Sequence, residues 1–230
     1  MKKYLFILLL IVSAGILLAV ESAPSETVGY YKKTVGAGNW DVFSLPFGYA
    51  SMNPNDILGY QFDENDVILD VTSGDIWTYY GAEFGWWPSG VENLTYGHAY
   101  WLNRAGSTPL DYYIMGTVNP QVVNYTVPAN GWACFSMNEC RDIDPNSLPM
   151  TGLQENDLIM DIITGDLWTY YGSEFGWWPS GDTMLHPTHG YYIYTSGSGF
   201  NWTYTPPARS IVSQPATGNY KTTAPGIKKK

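Results

Sequence analysis

The chain has 230 residues and a formal charge of −10, and it is 16 % aromatic but only 14 % charged. That balance excludes global disorder, because such a chain can bury a core. Between Thr34 and Tyr220 three arginines face 19 Asp and Glu, which argues against nucleic acid and anionic membrane surfaces as partners, since phosphates need Lys and Arg.

Met1-Lys2-Lys3 and the apolar run Tyr4–Val20, followed by small residues at Ser22-Ala23, form a secretory signal pattern. The run is short for a spanning helix. Residues 1–22 are therefore expected to direct export and to be cleaved before Ala23, with an uncleaved anchor as the other reading. The expected location is extracellular or at the cell surface, with no membrane contact beyond that segment.

The rest repeats itself. At an offset of 91 residues, Glu64-Asn65-Asp66 returns as Glu155-Asn156-Asp157, Asp70 as Asp161, His98 as His189 and Tyr100 as Tyr191. At an offset of 92, Trp40, Phe43 and Ser44 return as Trp132, Phe135 and Ser136. A period this long indicates a duplicated small domain, not a solenoid. The expected units are 27–115 and 116–207.

Within each unit the pattern is β. The runs 67–71 and 76–80 flank a polar turn containing Gly74, and their counterparts flank Gly165. β-branched and aromatic runs around such a turn signal a hairpin. Further strands are expected around Trp40–Phe47, His98–Asn103 and Leu110–Gly116, and at the matching places downstream. No helical period longer than about two turns is visible. The prediction is an all-β protein of two homologous antiparallel units, sandwich- or barrel-like, with five to seven short strands each. Residues 208–230, rich in Ser, Thr, Pro and Ala and ending in three lysines, read as an extended C-terminal tail.

These motifs resemble repeats of secreted bacterial and archaeal surface proteins. The elements are Trp40–Pro46, a hairpin with Asp70, Gly74 and Trp77, and Leu94–Leu102. The second copy supplies Trp132–Met137, Asp161–Trp168 and Leu185–Ile193. It departs at Asn138, where Pro is expected, and at Thr188, where Gly is expected. The resemblance covers nearly all of residues 30–205. It implies an envelope or extracellular structural or adhesive module rather than an enzyme.

The most informative stretch is DIWTYYGAEFGWWPSG, Asp75–Gly90. It recurs as Asp166–Gly181 with 14 of 16 positions identical. Directly downstream, Val91–Leu102 and Asp182–Ile193 share only three of 12. A physical role holds this segment in both copies, or local gene conversion refreshed it. Its aromatics suit either a core or an exposed platform that stacks on sugars or on a neighbouring subunit. Trp77 reads as core by strand alternation. For Trp86 and Trp87 both readings stay open. The candidate ligand or subunit contacts are Tyr80, Phe84, Trp86 and Trp87, with Tyr171, Phe175, Trp177 and Trp178.

Recurring acids offer a candidate calcium site. They are Glu64, Asp66, Asp70 and Asp75, with Glu155, Asp157, Asp161 and Asp166. Calcium, or another hard cation, is the cofactor their oxygens would suit, although turn chemistry explains Asp70 and Asp75 more simply. Cys134 and Cys140 are expected to form a disulfide in an exported chain. Sequons mark Asn93, Asn124 and Asn201 as candidate glycosylation sites. His186 and His189 are three apart, which in a strand puts them on opposite faces. No phosphate loop, nucleophile elbow or carboxylate pair stands out, so no enzyme is expected. The expected partners are copies of the chain itself, with cell-surface glycans as the alternative in a bivalent binding module.

Overall fold

The computed structural model describes residues 28–118 and 121–206. The expected signal segment 1–22 and tail 208–230 lie outside the described residues.

The protein is almost entirely β, built as two units of seven strands. In the first, β1 (Val28–Val35) pairs antiparallel with β7 (Leu110–Thr117) in a two-stranded ribbon. The other strands are β2 (Trp40–Ser44), β3 (Val67–Asp70), β4 (Ile76–Tyr79), β5 (Trp86–Pro88) and β6 (Ala99–Asn103). They form one antiparallel sheet in the order β2-β6-β3-β4-β5. The second unit repeats this with β8 (Val123–Val127), β9 (Gly131–Ser136), β10 (Leu158–Asp161), β11 (Leu167–Tyr170), β12 (Trp177–Pro179), β13 (Gly190–Thr195) and β14 (Phe200–Tyr204). Its ribbon is β8-β14 and its sheet is β9-β13-β10-β11-β12. The last strand of the first unit runs to Thr117, two residues past the expected end at 115.

Each unit has its own core, because each sheet turns one apolar face towards its ribbon. In the first unit Phe43, Ile68, Trp77, Tyr79, Trp86, Tyr100 and Leu102 from the sheet meet Tyr112 and Ile114 from β7. Strand alternation selects them: Ile68, Trp77 and Leu102 lie in register across β3, β4 and β6, and all are buried. Phe43 stacks on Tyr100 at 5.2 Å, and Trp77 meets Tyr100 edge-on at 6.2 Å. The second core repeats this with Phe135, Tyr191 and Trp168. Aromatic area here replaces the aliphatic bulk that the chain lacks.

The units touch through their outer sheet faces. A Cβ on Gly190 would come within 2.4 Å of the Ala99 Cβ, so the backbones approach closely there. Ser136 donates its N–H to the Gly97 carbonyl (2.8 Å) and its hydroxyl to the His98 carbonyl (2.8 Å). Tyr96 packs against both cores.

The short helix α1 (Pro54–Leu58) starts at the N-cap Asn53, and a 3-10 turn, Pro145–Ser147, stands in its place in the second unit with the cap Asp144. No helix among the described residues is long and apolar enough to cross a membrane.

Candidate functional site

The duplicated 16-residue stretch is strand β4, a glycine-bounded loop and edge strand β5. Tyr79 pairs with Trp86 and Thr78 with Trp87. Opposite residues of an antiparallel pair share a face, so Trp86 follows Tyr79 inward and Trp87 turns out. Trp86 is 2 % exposed and Trp87 is 59 % exposed; Trp177 and Trp178 divide the same way, at 5 % and 56 %. This corrects the expectation that all four tryptophans are contact residues. Trp86 and Trp177 belong to the cores, where they pack on Phe62 and Tyr79 and on Tyr170. The other expected contacts, Tyr80, Phe84 and Trp87 with Tyr171, Phe175 and Trp178, are all exposed.

A clamp from a distant segment fixes this geometry. The Asn55 Oδ1 accepts the Trp86 N–H at 2.7 Å, and its Nδ2 donates to the Trp86 carbonyl at 3.1 Å. Asn146 holds Trp177 identically, at 2.6 and 3.1 Å. The clamp needs glycine beside the tryptophan. Gly85 has φ +67°, and a Cβ there would lie 2.1 Å from the Asn55 Oδ1; Gly176 has φ +69° and 2.2 Å to Asn146. Space also requires Gly90 and Gly181, whose Cβ atoms would strike Asp75 and Asp166. Sequence reading missed the clamp, although Pro54-Asn55 recurs as Pro145-Asn146 at the same offset of 91.

Three rings therefore remain outside each unit with no packing role in the core. In the second unit Tyr171, Phe175 and Trp178 line a shallow hollow of about 410 Å³. In the first unit Tyr60, another exposed ring that sequence reading missed, stands against Gly85. The outer face of each sheet carries a second exposed tryptophan at its far edge. Trp40, Asn103, Val67, Thr78 and Trp87 lie in one register row of the outer face. The second unit's row is Trp132, Tyr194, Leu158, Thr169 and Trp178. Each row thus begins and ends in an exposed Trp, one on each edge strand of the sheet. Trp40 and Trp132 were legible only as strand residues.

The eight acids do not converge, and among the described residues no three His, Cys, Asp or Glu side chains are grouped to hold a metal ion. Each aspartate has local work instead. Asp70 Oδ1 accepts from the Thr72 and Ser73 amides (2.7 and 3.1 Å), and its Oδ2 lies 2.7 Å from the His98 Nδ1. Burial pushes the Asp70 carboxyl up, but His98 and the two amides outweigh it and hold it below the usual carboxylate value. Asp161 repeats this with Ile163, Thr164 and His189. Asp66 binds the buried Arg104 guanidinium at 2.7 Å and the Ala105 amide at 2.8 Å. Asp157 accepts from the Thr195 hydroxyl and the Ser196 amide instead. Asp75 and Asp166 accept from Ser73 and Thr164 hydroxyls within their own turns. Glu64 and Glu155 lie over Gly81 and Gly172.

Cys134 and Cys140 form no disulfide. Cys134 is on β9, while the Cys140 thiol points to the first unit, 3.5 Å from the Pro46 carbonyl. The expected short loop does not close because the two thiols face different neighbours. His186 and His189, expected on opposite faces, have ring centroids 5.3 Å apart. They sit in a turn through Thr188 (φ +65°), not in a strand. His186 is held between Asp142 (2.9 Å) and Asp182 (2.8 Å), and His189 by Asp161.

Of the sequons, Asn93 lies in an exposed loop. Asn124 and Asn201 face each other's threonines across β8-β14. Thr203 donates to the Asn124 Oδ1 and Thr126 to the Asn201 Oδ1, both at 2.6 Å. The first ribbon makes the same bond from Thr34 to Asp111. These two Asn-x-Thr patterns thus have a sheet-pairing explanation.

A cleft of about 520 Å³ between the units is lined by His98, Cys134, Thr72 and Asn124 among others. Cys134 beside the His98–Asp70 pair suggests a thiol nucleophile. Burial, however, pushes the Cys134 thiol up to about 12, and a thiol kept protonated is a poor nucleophile. The same His–Asp pair recurs in the second unit with Val42 at the position corresponding to Cys134, so it braces the hairpin turn in both places.

No protein-family model, no curated protein and no solved structure matches this chain.

Proposed function

We propose that this is an exported, non-catalytic protein of the cell surface or extracellular matrix that assembles with copies of itself through its two outward aromatic patches. One observation carries the reading. Within the duplicated stretch, core packing and turn geometry account for Trp77, Tyr79, Gly85, Trp86 and Gly90. They do not account for Tyr80, Phe84 and Trp87, which are exposed and yet unchanged in the second copy. Exposed rings on two like faces of one body favour chains or layers, because contacts that do not close on themselves give open assemblies. Export is supported by the leader pattern in residues 1–22.

A second reading is favoured by the hollow formed by Tyr171, Phe175 and Trp178. Flat rings around a shallow depression suit the apolar face of a sugar, and two such sites would bind a glycan with avidity.

Sedimentation velocity over a dilution series separates the two. The unsubstituted protein is expected to associate with rising concentration, and the Trp87→Ser/Trp178→Ser variant to remain monomeric with an unchanged circular dichroism spectrum. A monomer at every concentration whose tryptophan fluorescence responds to an added oligosaccharide favours the glycan reading.

A further inference from the structure

We propose that the two aromatic patches receive the basic segment 207–230 of a neighbouring copy of the chain. This rests on the assembly reading above and names the donor for it.

The patches are anionic as well as aromatic. Glu83 and Glu174 sit in the loops that carry Phe84 and Phe175, and Glu64 and Glu155 lie over Gly81 and Gly172 at the base of the same loops. All four are exposed. Their charge is not balanced from within the body. Its described cations are already engaged: Lys32 with Asp111, Lys33 with Asp41, Arg104 with Asp63 and Asp66, and Arg141 with Glu139. Residues 28–206 carry 19 Asp and Glu against those four cations.

Beyond Pro206 the balance inverts. Residues 207–230 contain Arg209, Lys221, Lys228, Lys229 and Lys230 and no acid. An ammonium or guanidinium over an exposed Trp or Tyr gains a cation–π contact, and a flanking carboxylate adds a charge-assisted hydrogen bond. A patch of three rings and two glutamates offers both. A fully extended chain of this length spans at most ~80 Å, enough to reach another body. Donor and receptor are different surfaces, so the link is heterologous and propagates.

The test uses a labelled peptide of residues 207–230 and the full chain carrying Arg209→Gln, Lys221→Gln, Lys228→Gln, Lys229→Gln and Lys230→Gln, whose own segment no longer competes. Fluorescence anisotropy is expected to show saturable binding that weakens about tenfold or more from low to high salt, as screening of the patch carboxylates requires. Adding Glu83→Gln/Glu174→Gln, or Trp87→Ser/Trp178→Ser, is expected to weaken binding at low salt by about tenfold, the scale of one cation–π or ion contact. Absence of binding, or binding that neither pair of substitutions alters, overturns the proposal. So does a zero-length Lys–Glu cross-link in the unsubstituted chain that forms within one molecule at a yield independent of dilution, since the segment then covers its own body. If the five-glutamine chain still assembles, the donor is wrong and the assembly reading stands. If the peptide binds but the unsubstituted chain stays monomeric, the assembly reading and the linkage fall together.

Discussion

Single residues in this protein are chosen for partners as often as for propensity. Asp66 and Asp157 occupy equivalent buried sites, yet one is matched by a guanidinium and the other by a hydroxyl. Burying a carboxylate is costly unless it is hydrogen-bonded, and either solution meets the requirement. His186 is a more exposed case, bridging Asp142 and Asp182 and so tying the loop before Ile143 to the one before Leu185. Burial lowers its pKa, but the two carboxylates outweigh that and raise it above 6.5. A raised histidine contributes its stability fully below the unfolded value and loses it as pH rises through the folded one. Asp182, lowered mainly by His186, contributes above 3.8 and loses its share as pH falls through its folded value. The melting temperature of the unsubstituted protein is therefore expected to fall slightly as pH rises from about 6.5 through the raised folded value of His186, with His186→Gln flattening that slope. The effect is small because the three side chains are partly open to solvent. A slope unchanged by the substitution would assign it to other groups. The histidine pairing was hidden from sequence because the two-face rule applies to strands, and this segment is a turn.

At the scale of elements, alternation decides which half of a repeated pair does what. The edge strand β5 is only three residues long, but its pairing with β4 places Trp86 inside and Trp87 outside. Truncating Trp86 to Ala is expected to cost about 3–5 kcal/mol, as for other buried tryptophans. Trp87→Ser should stay within about 0.5 kcal/mol, as for surface sites. Urea unfolding of the two variants checks this, and equal losses would contradict the assignment. The repeated hairpins, their turn aspartates and the buried Trp77 were legible because they follow local rules of period and turn chemistry. The β1-β7 and β8-β14 ribbons pair strands about 80 residues apart, which no local pattern reveals. The direction of Trp86 was illegible for a similar reason: Asn55, 31 residues upstream, holds it. The disulfide expectation failed on the same ground, since spacing in sequence says little about which way a thiol faces.

The whole molecule is two copies of one sandwich, joined where Gly190 meets Ala99 and where Tyr96 reaches into both cores. Duplication was plain from the offsets of 91 and 92. What each copy presents outward was not, because composition cannot separate a buried ring from an exposed one. The account rests on the exposed rings at Tyr80, Phe84 and Trp87 and at their counterparts. The most direct test is negative-stain electron microscopy of residues 23–230 beside the Trp87→Ser/Trp178→Ser variant. The account predicts filaments, sheets or tubes for the former and single monodisperse particles for the latter. Monodisperse particles from both, or assemblies that the double substitution leaves intact, would contradict it.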